Sequence, residues 1–155
     1  DGSAIITDVK ELGLNLLDGA TGRKITYIET GYINDIAISP DSRIAAAAGY
    51  RSPARYQQEN LVYLIDIAQQ KRISTLQISG YPAEVMNAAY TPDGSALVTL
   101  DAYGDIYIWN PATGALLSHF AEQAVMPAQI DFSADGRSLL IMGADNAVQV
   151  YQAAE

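Results

Sequence analysis

Short apolar runs recur along the whole chain, and polar turn residues separate them. Side chains alternate most clearly in Ile106–Trp109, the run Ile-Tyr-Ile-Trp, as in a strand that packs against a neighbouring sheet on each face. No segment keeps a hydrophobic period of 3.6 residues over about ten positions, so the pattern predicts no helix. The chain is therefore predicted to be all-β, with many short antiparallel strands.

Tight turns of a Pro-Asp-Gly type divide these runs at long intervals. Proline presets φ for the second turn position and glycine tolerates the positive φ that follows, so such turns connect the strands of hairpins. The interval from Asp41 to Asp93 is 52 residues, and that from Asp93 to Asp135 is 42. The shorter interval matches the roughly 40–45 residues of a four-stranded propeller blade, and the longer one contains an insertion. The turns lie at 39–42, 91–94 and 133–136, and residues 1–2 end one more.

The chain contains one stretch twice. Residues 1–25 align without a gap on residues 93–117, with eight identical pairs and apolar residues facing apolar ones at several more. Such a repeat indicates an architecture of similar units packed side by side. With the four runs of a unit labelled a, b, c and d, the chain reads b-c-d, a-b-c-d, a-b-c-d, a-b-c, or about three and a half β-propeller blades. We expect the blades at about residues 1–29, 30–79, 80–121 and 122–155.

The two ends of the chain both interrupt a unit. The first unit begins inside an a–b turn, and the last ends after a strand c. Native chains seldom start in a tight turn, so we expect the full protein to have residues upstream of Asp1 that supply further blades. An open ring would leave apolar strand surface and unpaired strand edges exposed. The remaining blades, or another chain, are expected to complete the ring.

Composition and charge limit the class of partner. Hydrophobic residues make up 49% and charged residues 17%, which is typical of a globular chain. Nine Lys and Arg against 18 Asp and Glu give a net charge of −9, which disfavours nucleic acids and anionic membrane surfaces as partners. No apolar run approaches the roughly 20 residues of a membrane span, so no membrane insertion is expected. The absence of cysteine excludes disulfides, thiolate metal sites and cysteine nucleophiles.

The segment Leu97–Asn110 resembles the repeat of the WD-repeat β-propellers, with Trp109-Asn110 where that family has its Trp-Asp dipeptide. The resemblance covers essentially the whole chain in degenerate copies. It implies a propeller fold and the carboxyl-terminal half of a ring. WD-repeat propellers close the ring with a sheet that combines a strand d from the amino-terminal end and strands a, b and c from the carboxyl-terminal end. The equivalent dipeptides are Leu17-Asp18, Ile65-Asp66 and Tyr151-Gln152, and Gly31-Tyr32 and Gly80-Tyr81 stand near the position of the family's Gly-His.

The resemblance also implies a buried hydrogen-bond network of His, Ser or Thr, Asp and Trp. No unit of the sequence has all four residues. We expect Thr99 and Trp109 to be the remnant of this network in one blade and Asp145 in another. The stretch Asn60–Ser79 is similar as well to the bacterial propeller repeats named for a Tyr-Val-Thr-Asn motif. A bacterial protein is therefore expected, and cytoplasm and periplasm both stay open as its compartment.

The insertion Gly49–Gln58 is the most distinctive stretch outside the repeat. It falls in the b–c connection of the second blade, which in propellers lies on the same face as the d–a loops and commonly contacts partners. Its Tyr and Arg residues are types enriched at interface hot spots, and tyrosine and methionine in the d–a loops suit adaptable contacts. The alternative is that these side chains pack down onto the blades or fill gaps between them. The predicted partner-binding residues are Tyr50, Arg51, Arg55 and Tyr56 in the insertion and Tyr32, Tyr81 and Met86 in the d–a loops.

Catalytic and metal-binding patterns are missing from the sequence. His119, the only histidine, lies in a predicted outer strand, and nothing in the spacing suggests a triad or a second imidazole ligand. Asp101 and Asp105 offer oxygen ligands that suit calcium, but Asp and Gly at such positions are ordinary turn formers. We predict no catalytic residue, no cofactor and no metal.

The sequence thus predicts a non-catalytic protein–protein interaction or scaffolding module that presents propeller loops to a protein partner. Two alternatives stay open. One is part of a propeller enzyme, of the lactonase or quinoprotein type, whose site the further blades would complete. The other is an architectural subunit of a bacterial assembly, in which a neighbouring chain covers the exposed strand edges.

Overall fold

A computed structural model describes residues 2–9, 13–54, 57–78, 83–121 and 127–152. Within these ranges the chain forms fourteen strands and no helix, as the hydrophobic pattern predicts. The strands are β1 (Ala4–Val9), β2 (Gly13–Asp18), β3 (Lys24–Glu29), β4 (Tyr32–Ile38), β5 (Ile44–Ala54), β6 (Gln57–Asp66), β7 (Lys71–Gln77), β8 (Val85–Tyr90), β9 (Leu97–Asp101), β10 (Ile106–Trp109), β11 (Leu116–Phe120), β12 (Pro127–Phe132), β13 (Ser138–Gly143) and β14 (Val148–Gln152).

The strands form four antiparallel sheets, each with its strands in chain order. The sheets contain β1–β3, β4–β7, β8–β11 and β12–β14, so two four-stranded sheets lie between two three-stranded ones. This arrangement confirms the predicted series of strands b-c-d, a-b-c-d, a-b-c-d and a-b-c. The fold is all-β and built as propeller blades, which we number one to four in chain order.

Apolar clusters between neighbouring blades hold the sheets together. In β6, Leu61 and Ile65 join the cluster between blades one and two, while Val62 and Leu64 join the cluster between blades two and three. A third cluster around Leu100 lies between blades three and four. Burial on both faces explains why these strands read as nearly continuous apolar runs instead of strictly alternating ones.

The first strands of blades two, three and four lie side by side, with β8 in contact with both β4 and β12. Each of these inner strands has a register irregularity at the equivalent residue, which is Asn34, Met86 or Ala128. Such a β-bulge increases the local twist of a strand. At its bulge β4 bonds to the next blade, because Asn34 Nδ2 donates to the Val85 carbonyl at 2.9 Å.

The a–b turns also stack from blade to blade. Gly94 and Gly136 adopt positive φ, as the turn type requires, and Ser42 holds the same conformation at φ 59° without being glycine. A Cβ added to Gly94 would lie 3.5 Å from Pro40 Cδ, and one added to Gly136 would lie 3.4 Å from Pro92 Cδ. Each turn therefore rests on the turn proline of the preceding blade.

The insertion in blade two continues the sheet instead of forming a loop. Strands β5 and β6 have eleven and ten residues, whereas the equivalent β9 and β10 have five and four. The extra residues extend the b–c hairpin, with Tyr50 opposite Asn60 and Arg51 opposite Glu59. Backbone pairing in this hairpin satisfies peptide groups that a ten-residue loop would leave to solvent. The predicted position in the b–c connection is right, and the predicted loop is a β-ribbon.

Candidate protein-binding surface

Two stacked tyrosines mark the base of the extended hairpin. The rings of Tyr32 and Tyr50 lie 4.9 Å apart at an interplanar angle of 17°, and the two residues are register partners in β4 and β5. Tyr32 is 47% exposed, and Tyr50 is half-buried beside it. A tyrosine pair of this kind presents a rigid, amphipathic area with few rotatable bonds, which suits a contact surface.

Two glycines allow the tyrosines to meet. A Cβ at Gly49 would lie 1.9 Å from the Tyr32 carbonyl oxygen, and one at Gly31 would lie 2.6 Å from the Tyr50 carbonyl oxygen. Gly31 also has a φ of 117°, which L side chains rarely adopt. The segment between β3 and β4 can therefore approach the b–c hairpin closely only because both positions lack a side chain.

An ion pair fixes the next cross-strand position of the hairpin. Arg51 Nε lies 2.5 Å from Glu59 Oε2, and the hydrogen bond from Arg51 to Glu59 raises the pKa of the guanidinium. Half of the Arg51 side chain is exposed. The pair holds the arginine in place, although an exposed ion pair contributes little to stability by itself.

Blade three contributes a charge close to the tyrosines. Burial raises the pKa of the Tyr50 hydroxyl, and the nearby Glu84 carboxylate and Tyr32 raise it further. The backbone of Glu84 is held in place, because its carbonyl accepts a hydrogen bond from the Ala102 N–H at 2.8 Å. The surface therefore spans blades two and three.

The structure brings together Tyr32, Tyr50 and Arg51 of the predicted binding residues. Tyr32 and Met86 belong to strands β4 and β8, not to d–a loops, because both inner strands begin earlier in the chain than the sequence predicts. Met86 is half-buried at its bulge, where its sulfur lies 3.7 Å from Asn34 Nδ2. Its contacts fit the alternative that it fills a gap between blades. The remaining predicted residues, Arg55, Tyr56 and Tyr81, lie outside the described residues.

Blade three contains the expected remnant of a buried polar network. Trp109 Nε1 donates to Thr99 Oγ1 at 3.0 Å, and both side chains are buried. Asp145, the residue expected to represent the network in blade four, instead accepts a hydrogen bond from the Ala147 N–H in an exposed turn. The described contacts of Asp145 are thus those of a turn residue.

The acidic turn of blade three is occupied by internal bonds. Asp101 is buried, and its Oδ1 accepts hydrogen bonds from the N–H groups of Tyr103 and Asp105. Burial raises the pKa of this carboxyl. Among the described residues, no group of three or more His, Cys, Asp or Glu side chains is placed to hold a metal ion. The contacts favour the turn interpretation of Asp101 over a calcium site.

Sequence reasoning missed the surroundings of His119. Its Nε2 lies 3.2 Å from Asp105 Oδ2, and its ring stacks on Tyr107 with centroids 4.4 Å apart. The three residues come from a turn and two neighbouring strands, with His119 directly opposite Tyr107 in the register. The alternation of β10 and β11 places both rings on one face, but only the register, which the sequence does not state, makes them neighbours.

The fold defines the class of the protein as a series of β-propeller blades. No family model matches the sequence. Transcription initiation factor TFIID subunit 5 of Caenorhabditis elegans is 32% identical over 74 residues, which are 47% of this chain and 11% of that protein. Small ribosomal subunit protein RACK1 of Candida albicans is 28% identical over 131 residues, which are 79% of this chain and 38% of that protein.

These two relatives are WD-repeat proteins, and with the four sheets they identify the blades of this chain as WD-repeat-like. The chain spans well under half the length of either curated relative. WD-repeat relatives support a role in protein interaction in general terms. In the part of the chain that the structure describes, no helix is long and apolar enough to cross a membrane.

Proposed function

We propose that this chain is a non-catalytic interaction or scaffolding module, which binds a protein partner through the extended hairpin of blade two. The observation that carries the proposal is the stacked pair Tyr32 and Tyr50 at the base of the hairpin, with Arg51 beside it. Met86 of blade three is proposed as a further contact, as are Arg55, Tyr56 and Tyr81, which lie outside the described residues.

The energetics of interfaces support this choice of surface. Tyrosine and arginine dominate interface hot spots because they bury a large area and keep polar groups that pair with the partner. Tyr32 and Tyr50 are already stacked, so binding would lose little side-chain entropy. The extension also lies beyond the last residue pair between β6 and β7, which joins Leu61 and Gln77. A partner can therefore contact it without disturbing the core.

The inner face of the blades offers less support for an enzyme. Strands β4, β8 and β12 line a cavity of about 570 Å³. Its carboxylates already accept backbone hydrogen bonds: Asp35 from the N–H groups of Ile36 and Ala88, and Asp131 from that of Phe132. These bonds use acceptor capacity that a metal or a general base would need. Metal analysis of the full-length protein would separate the enzyme alternative, and the native mass of the particle would separate the architectural one.

A pull-down with matched variants tests the proposal. The double variant Tyr32→Ala/Arg51→Ala removes exposed side chains from the surface, and Tyr27→Ala/Arg43→Ala removes the same residue types from the outer strand of blade one and from the a–b turn of blade two. We expect a partner recovered with the natural chain to be lost with the first variant and kept with the second. Equal recovery with both variants would contradict the proposal.

A further inference from the structure

Two arginines line a pocket between blades one and two of this acidic chain. The pocket has a volume of about 520 Å³. Two of the nine Lys and Arg residues of the chain line it, although the net charge is −9. We call it the inter-blade pocket, and its lining includes Glu29, Thr30, Arg51, Ser52, Tyr63 and Arg72.

The two guanidinium groups of the pocket differ in their partners. Arg51 contacts Glu59 through Nε, which is one of its five N–H donors. Arg72 lies over the ring of Tyr63, with Cζ 4.9 Å from the ring centre, and none of the ion pairs among the described residues involves it. Both arginines therefore keep N–H donors beyond these contacts, and charge-assisted bonds from such donors to a carboxylate are strong.

Tyr63 supplies an independent sign of a ligand. Tyr63 is 2% exposed, and its hydroxyl makes no hydrogen bond of good geometry with any described residue, although the Arg72 guanidinium lies close enough to lower its pKa. A buried hydroxyl without a partner destabilises the fold, so such groups are rare and call for an explanation. Burial also raises the pKa of this hydroxyl, so it keeps its proton and can donate to an anion.

We propose that the inter-blade pocket receives one carboxylate from an acidic peptide segment of the partner. This inference rests on the proposed function and names the chemistry of the partner. Arg51 and Arg72 bind the carboxylate, and the Tyr63 hydroxyl donates to it. The negative charge of Glu29 in the same lining favours a single carboxylate over a doubly charged phosphate, because like charges repel.

Fluorescence anisotropy with the full chain tests this chemistry. The probe is a fluorescein-labelled peptide of glycine, serine and glutamate, and its control has glutamine in place of glutamate. We expect the glutamate peptide to bind, the glutamine peptide not to bind, and inorganic phosphate to compete poorly. Equal binding of the two peptides, or phosphate competition as strong as that of the unlabelled glutamate peptide, would overturn the inference.

Variants of the pocket residues sharpen the test. Arg72→Gln is expected to weaken binding of the glutamate peptide about tenfold, because a hydrogen bond between charged groups is lost. Tyr63→Phe is expected to weaken binding as well, while leaving the melting temperature equal or higher, since the hydroxyl has no described partner in the free chain. Arg43→Gln alters an exposed arginine outside the pocket and is expected to change nothing.

The outcomes separate this inference from the proposed function. If the recovered partner depends on Tyr32 but neither it nor the glutamate peptide depends on Arg72, the interaction surface stands and the carboxylate site is wrong. If neither residue affects the partner, both proposals fail. A Tyr63→Phe variant that binds normally, or that melts lower than the natural chain, would also refute a ligand-binding role for the hydroxyl.

Discussion

Blades two and three have the same strand order but end their b–c hairpins differently. Gly49 and Asp101 hold the equivalent position, each opposite the residue that precedes the bulge of its inner strand. In blade three the Asp101 carboxylate accepts two backbone N–H bonds and closes the turn at once. Gly49 has no carboxylate, and the strands of blade two continue to pair through the inserted residues. The insertion, and not this position alone, makes the hairpin of blade two project, because blade four has Gly143 at the equivalent position and still closes its hairpin with a bond from the Gly143 N–H to the Ala147 carbonyl.

The buried centres of the two blades also differ, because blade three has a polar pair where blade two has apolar side chains. Blade three pairs Thr99 with Trp109 through a hydrogen bond, whereas the equivalent residues of blade two are Ala47 and Ile65, which are also buried. Blade two therefore has the same four-stranded geometry without a side-chain hydrogen bond between these two positions. Blade three has a hydrogen-bonded polar pair in its core. In blade two, polar and aromatic side chains lie on the hairpin and in the inter-blade pocket, where a partner can contact them.

The largest expected effect comes from closing the space at Gly49. A Gly49→Ala variant would place a methyl group 1.9 Å from the Tyr32 carbonyl oxygen, so β4 and β5 must separate. We expect a loss of about 3 kcal/mol in the free energy of unfolding in urea. We also expect the near-ultraviolet circular dichroism of the stacked tyrosines to weaken.

Gly22→Ala is the matched control for that variant. Gly22 has a φ of 68° but open space around its Cα, so the variant tests backbone conformation without a clash. A loss of about 1 kcal/mol is expected there. If Gly49→Ala lost no more than Gly22→Ala, the close approach of Tyr32 to β5 would be refuted.

The second-largest effect on stability is expected when a buried polar group is removed from the core of blade three or introduced into that of blade two. Thr99→Val leaves Trp109 Nε1 buried without an acceptor, and Ala47→Thr introduces a buried hydroxyl in blade two beside apolar neighbours. Each change is expected to lower the free energy of unfolding by about 1–3 kcal/mol. A double-mutant cycle of Thr99→Val with Trp109→Phe should show coupling, and additive losses would mean that the hydrogen bond contributes nothing.

Turn chemistry and hydrophobic pattern were enough to predict the strand series of all four blades. The turns at 39–42 and 91–94 contain proline, side-chain acceptors and, at position 94, glycine, whose preferred geometry is local, so no tertiary information was needed. The ribbon of blade two was missed because it depends on pairing between residues on both sides of the insertion, such as Arg51 and Glu59. The inter-blade pocket was missed for a stronger reason, since Glu29 of blade one and Arg72 of blade two line one pocket only when the two blades pack together.

A smaller effect, opposite in sign, is expected at the turns of blade two. Ser42 and Gln70 adopt positive φ where blade three has Gly94 and Gly114. Ser42→Gly and Gln70→Gly should each raise the free energy of unfolding by about 0.5–1 kcal/mol, because relief of the left-handed strain exceeds the entropy that glycine adds to the unfolded chain. Gly94→Ala should lower it, and a stabilising Gly94→Ala would contradict the equivalence of the turns.

The smallest expected effect is a pH dependence of stability that comes from the Asp101 carboxyl of blade three. Blade two has no counterpart to this group, because Gly49 holds the equivalent position. Burial raises the pKa of Asp101, with Asp105 nearby adding to the shift, so folding favours its protonated form. Its contribution to stability is therefore fully present below the ordinary pKa of about 4 and is lost as the pH rises through the higher folded value.

Asp101→Asn removes this titration and keeps a side-chain oxygen that can accept the turn N–H bonds. The stability of the natural chain relative to this variant, measured in urea, should therefore fall as the pH rises above about 4. Asp93 works in the opposite direction, because hydrogen bonds from Thr91 and Ser95 lower its pKa to about 2, but it titrates in both proteins and cancels from the difference. A difference that is constant or grows with pH would show that the Asp101 charge is better stabilised in the fold than in water. The ionised Asp101 carboxylate would then stabilise the turn of blade three, and blade two has no such group at Gly49.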